Sequence, residues 1–159
     1  MTNEGHRCVV DLIHLSDGDN SFRVRVLGRR MPGVLPLHDL LDAEVLIESG
    51  FVSGRLDLGL YPDDLDGWSR ALDVLAAGGD VRWPDDDRSP EIRVQALDRE
   101  HETPTVHVED VARSGISVSI PLCLQDGWID DQRKRLRLVR REWPSEVLKT
   151  SPGAYEWRR

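Results

Sequence analysis

Cysteine is scarce in this 159-residue chain, with Cys8 and Cys123 the only two. Two thiols give no disulfide framework to read. Each sits in a segment of alternating apolar residues, which suits a pair of small, buried free thiols, with a bridge between them the open alternative. Lysine is scarcer than arginine, since 2 of the 21 basic residues are Lys. That skew fits genomic base composition and carries no mechanism. No apolar run approaches the ~18 residues of a membrane helix, and Met1 to Arg7 lacks the apolar core of an export signal. A cytoplasmic, membrane-free location is the expectation. Positive charge is in deficit too: 21 basic against 29 acidic side chains give a formal charge of −8. Counterion release rewards a broad basic surface, so a general nucleic-acid binder is disfavoured.

Chemical signatures are equally thin. The histidines His6, His14, His38, His101 and His107 show no spacing of a zinc site. His14 and Cys8 share a strand face but stand ~20 Å apart along extended chain, so they cannot share an ion. There is no G-x-S-x-G elbow, and the Ser-Gly pairs at 49–50, 53–54 and 114–115 read as turns. No Walker loop or G-x-G-x-x-G cradle occurs, because residues 28–33 have the wrong spacing. No catalytic residue, cofactor or metal ligand is therefore assigned.

What the chain does contain is one domain's worth of sequence, 1–159, with 39% hydrophobic and 31% charged residues. Strands are predicted over Cys8–Leu15, Phe22–Leu27, Ala43–Ser49, Arg55–Leu60, Glu91–Leu97, Thr105–Val111 and Ile116–Leu122. The turn at Ser16–Ser21 makes the first two a hairpin, while two prolines and two glycines make residues 28–38 an ordered but irregular connection. Pro62, Asp63, Asp64 and Asp66 open a helix that Gly78-Gly79 close, with Leu65, Trp68, Leu72 and Leu75 as its apolar stripe. A second helix is predicted from Asp126 to Trp143, where Pro144 forbids continuation. The tail 145–159 carries Tyr155 and Trp157 and is expected to dock. The sum is an α+β fold: an antiparallel sheet or sandwich of about seven strands, one packed amphipathic helix and a C-terminal helix.

Charge is unevenly spread. Residues 126–159 hold 9 basic and 6 acidic side chains, a balance of +3, leaving −11 for residues 1–125. Asp63, Asp64 and Asp66 at the helix start and Asp85, Asp86 and Asp87 in the following loop are the candidate acidic contacts for a basic partner protein. Helix-start charges and a solvated loop explain the same residues without a partner. Arg137, Arg140 and Arg141, among six basic residues of the second helix, are the candidate basic contacts. Six charges around one helix point several ways, which dilutes a patch.

The stretches Val26-Leu27-Gly28-Arg29-Arg30-Met31-Pro32-Gly33-Val34-Leu35-Pro36-Leu37-His38-Asp39, Asp64-Leu65-Asp66-Gly67-Trp68 and Trp143-Pro144-Ser145-Glu146-Val147 resemble an uncharacterised actinobacterial domain-of-unknown-function family. That resemblance covers most of the chain and implies no activity. In layout alone, the order of elements is similar to WapI-type immunity proteins of toxin systems. These observations favour a non-enzymatic protein-binding module, with immunity-like neutralisation as one form. A small-molecule-binding or catalytic accessory protein of specialised metabolism is the alternative, and nucleic-acid binding through the basic helix the third.

Overall fold

The computed structural model describes residues 9–86, 89–98 and 103–159. The chain begins with a four-stranded antiparallel meander, β1 (Val10–Ser16), β2 (Asn20–Arg29), β3 (Leu41–Ser49) and β4 (Ser53–Leu60), paired in chain order. Period-two alternation explains its inner face: Phe22, Val24 and Val26 of β2 lie opposite Ile47, Val45 and Ala43 of β3, and all six are buried. In β1 a register shift between Asp11 and Ile13 turns both Leu12 and Ile13 into the core.

Helix α1 (Pro62–Ala76) follows with Pro62 in its first turn and Gly78 at positive φ just beyond its end. Leu65, Trp68, Leu72 and Leu75 are all buried, so the predicted stripe is the packed face. Trp68 meets Trp83 at a 5.2 Å centroid separation, and the Trp83 indole N–H donates to the Asp64 carbonyl at 2.7 Å. Trp83 belongs to β5 (Val81–Trp83), which opens a second meander with β6 (Glu91–Asp98), β7 (Thr103–Glu109) and β8 (Ser117–Pro121). Ile92, Val94, Val106, Val108 and Ile120 of this sheet join the same core as the first.

Helix α2 (Trp128–Glu142) starts after Gly127, whose φ of 83° favours glycine. It buries Gln132, Leu136 and Val139 and lies against α1 and the outer edge of β1. Residues 147–157 then form a hairpin, β9 (Val147–Ser151) and β10 (Ala154–Trp157), turning at Pro152-Gly153. Between β2 and β3, the irregular connection contains a short 3-10 turn, Leu35–Leu37.

Three expectations need correction. Among the described residues there are ten strands in three sheets, where one sheet or sandwich of about seven was expected. The excess is β5, too short to show alternation, and the two strands of the terminal hairpin. Cys123 is exposed and not buried, because it lies beyond the end of β8 where the alternation no longer applies. Cys8, His6 and His101 fall outside the described residues. Ile116, the first residue of the predicted strand, is exposed and precedes β8, which begins at Ser117.

Candidate functional site

A cleft of about 650 Å³ opens where four segments converge: the connection around Pro36–Leu41, the start of α1, the end of α2 and the hairpin β9–β10. Its apolar lining includes Leu40, Leu41 and Leu65, and its aromatic lining is Tyr61, Trp143 and Tyr155. Charges of both signs line it, Asp39 from the connection among them. Asp63 and Asp66 stand on α1, whereas Lys149 and Arg158 stand on the hairpin side. Arg140, from α2, reaches across to Asp66 at 2.6 Å and ties the two helices together beside the cleft.

Adjoining the cleft, which Asp39 also lines, is a largely enclosed polar cluster centred on Arg29, whose side chain is 11% exposed. One guanidinium nitrogen donates to Asp39 at 3.0 Å and to the His38 carbonyl at 3.2 Å; the other donates to the Pro144 carbonyl and to Glu146, each at 2.8 Å. Asp39 accepts from the backbone N–H groups of Glu146 and Val147 and from the Ser145 hydroxyl. Burial pushes the Asp39 carboxyl up, but these donors and Arg29 outweigh it and hold the group below its ordinary value. His38 accepts the Gly33 N–H at Nδ1, places Nε2 3.6 Å from Glu146 and meets Trp157 edge-on at 4.8 Å. A short polar segment of the β2–β3 connection therefore holds the terminal hairpin, and the hairpin forms one wall of the cleft.

The predicted contacts divide sharply. Asp63, Asp66 and Arg140 share the cleft. Asp64 is half-buried and its carboxylate accepts the Tyr61 N–H at 2.8 Å. Burial raises its pKa above the ordinary carboxylate range, with the Asp86 and Asp63 charges adding to the effect and the Tyr61 bond opposing it. Asp85 and Asp86 are exposed, and Asp86 caps the N–H and hydroxyl of Ser89. Asp87 lies outside the described residues. Arg137 and Arg141 are exposed on α2, away from the cleft.

Residues 10–144 match the profile of a family of unknown function, DUF5959. The chain belongs to this family. Neither the curated proteins nor the solved structures contain a match. The DUF5959 match takes in the walls built from the connection, α1 and the end of α2, and stops short of Val147, Lys149, Tyr155 and Arg158. In this DUF5959 member the cleft is thus shared between the matched stretch and the hairpin that follows it.

Sequence reasoning missed Arg29, Asp39, Glu146, Lys149 and Arg158. The aromatic tail was the available signal for a docked wall, but nothing local marks Asp39 as its anchor. A separate row, Gln95–His107–Ser119, crosses β6, β7 and β8 with bonds of 2.8 Å and 2.7 Å. It runs across the open face of the second sheet beside a depression of about 200 Å³. Among the described residues no cluster of three or more His, Cys, Asp or Glu has the arrangement of a metal site, and no helix is long and apolar enough to cross a membrane.

Proposed function

We propose that this protein is a binding module that holds a segment of a partner protein in the cleft between α1, α2 and the terminal hairpin. The single observation that carries the reading is the composition of that cleft. Tyr, Trp and Arg side chains line it beside Leu40, Leu41 and Leu65, with Asp63 and Asp66 on α1, Asp39 on the connection, Arg140 on α2, and Lys149 and Arg158 on the hairpin side. Aromatic and arginine side chains dominate the energetics of protein contacts, and opposed charges orient the incoming chain. Tyr61, 47% exposed, stands at the rim as a ready contact. In this reading Asp63 meets a basic side chain of the partner, Lys149 an acidic one, and an apolar residue enters beside Trp143. The module acts in the cytoplasm of an actinobacterium, and the layout likeness to WapI-type immunity proteins makes a toxin domain the partner to try first.

A small organic ligand is the second reading, favoured by the cleft volume, which falls within the usual range for ligand sites. None of His14, His38 and His107 lines the cleft.

The test is co-purification with the products of neighbouring genes, using wild type, Trp143→Ala and Asp63→Lys. The expected result is one partner retained by wild type and lost by both variants, with unchanged circular dichroism. Equal retention by all three overturns the reading, as does turnover of a small molecule that both variants abolish.

A further inference from the structure

The six basic residues of α2 do not share one fate. Three are taken up inside the molecule: Arg133 reaches Asp73 of α1 at 2.9 Å, Arg140 reaches Asp66 of α1 at 2.6 Å, and Arg135 pairs with Asp131 at 3.0 Å. Lys134, Arg137 and Arg141 have no acidic partner among the described residues, and all three are exposed. Spacings of three and four put them on a single face, opposite the buried Gln132, Leu136 and Val139. Internal pairing accounts for the other three cations of the helix, and Asp130, 3.5 Å from Arg133, and exposed Glu142 are the acidic neighbours of the face. What remains is a cationic stripe about 10 Å long, from a rise of ~1.5 Å per residue. Leu138 lies beside it, 48% exposed.

We infer that this face of α2 docks an acidic, leucine-bearing helical segment of another protein. Positive charge selects an acidic partner, and exposed Leu138 selects among acidic partners. A nucleic-acid backbone offers that leucine no apolar match, whereas an amphipathic helix with glutamates flanking a leucine covers both features. The −11 balance of residues 1–125 also works against a polyanion larger than the stripe itself. This surface is distinct from the cleft and does not rest on the function proposed for it, because Lys134, Arg137 and Leu138 do not line the cleft.

The experiment is fluorescence anisotropy with a labelled 16-residue helical peptide bearing glutamates at i, i+3 and i+7 and leucine at i+4. A peptide of the same composition in scrambled order and a 16-base-pair DNA duplex serve as comparisons. Saturable binding of the patterned peptide at about 50 mM salt is expected, weakening roughly tenfold or more by 200 mM as surface charges are screened. The triple variant K134E/R137E/R141E should weaken it by a similar factor, and Leu138→Ser should reduce it several-fold at unchanged helicity. Trp143→Ala, in the cleft, should leave it unaltered. Tighter binding of the duplex than of the peptide overturns the inference, as does equal binding of the scrambled peptide. So does concentration-dependent self-association abolished by the triple variant, which would identify the acidic body of a second copy as the occupant.

Discussion

Gln132 of α2 and His14 of β1, 118 residues apart in the chain, exchange two hydrogen bonds. The Gln132 side-chain oxygen accepts the His14 N–H at 2.8 Å, and its nitrogen donates to the His14 carbonyl at 3.1 Å. A buried amide thereby completes the outer edge of a sheet whose strand has no further strand to pair with. Gln132→Leu keeps the volume but strands both backbone groups, so it should cost about 2 to 4 kcal/mol. Urea denaturation measures this; a loss below about 0.5 kcal/mol would show that water replaces the amide.

Arg29 joins β2, the β2–β3 connection, the residues after α2 and the start of the hairpin in one cluster. Arg29→Met should cost about 3 to 5 kcal/mol, because it leaves Asp39 buried without its cation. Arg29→Lys should fall between, as an ammonium keeps the charge and loses the forked geometry. Hydrogen exchange adds a local readout: amides of residues 147–157 should exchange faster in both variants before the sheets do. Uniform acceleration across the chain would contradict the assigned role.

Acidification should destabilise the protein in two separate steps. His14 is lowered from 6.5, first by burial and then by Arg23 and Arg135, with Asp11 and Asp131 opposing. Its folded form takes up fewer protons, so the contribution is complete above pH 6.5 and is lost as pH falls through the lower folded value. Asp39, held below 3.8, contributes above pH 3.8 and loses that contribution as pH falls further. His14→Gln should flatten the first limb of a stability-against-pH curve, and Asp39→Asn the second. Superimposable curves for wild type and both variants would refute the assignment.

The Asp66–Arg140 pair is about half exposed on both sides, so its strength is limited by solvent. A double-mutant cycle with Asp66→Ala and Arg140→Ala should give a coupling of about 0.2 to 1 kcal/mol, fading with salt. A coupling above 2 kcal/mol would mean that the pair is a structural brace and not a trimming of the cleft.

Cys123 is exposed, with its backbone N–H held by Asp17 at 2.9 Å. Native protein should therefore react with a water-soluble maleimide at this thiol within minutes, and Cys123→Ser should abolish that labelling with stability unchanged within ~0.5 kcal/mol. Labelling of Cys123 only in denaturant would place the thiol in the interior after all.

Local chemistry carried much of the fold. The 3-4-3 spacing of Leu65, Trp68, Leu72 and Leu75, bracketed by Pro62 and Gly78, specified α1 and its buried face. Alternation located seven of the eight strands of the two meanders, and three-residue β5 is too short to show it. The hairpin escaped because Val147 to Ser151 alternates poorly and Pro152-Gly153, a turn signal, lies in a stretch read as tail. For the site, the acidic start of α1 was visible but its opposite wall was not. Which arginines of α2 find Asp66 and Asp73 depends on how two helices cross, and periodicity holds no information about a crossing.

Each meander pairs strands that are neighbours along the chain, so its ladders close over short loops. Beyond the shared core, polar contacts join distant stretches: Gln132 to His14, and Arg29 to Glu146 across 117 residues. The sheets can assemble early and locally, while the latch across β2 and the hairpin waits for the whole chain to collapse. The cleft, whose walls come from residues 36–66 and 140–158, exists only once these long-range contacts are made.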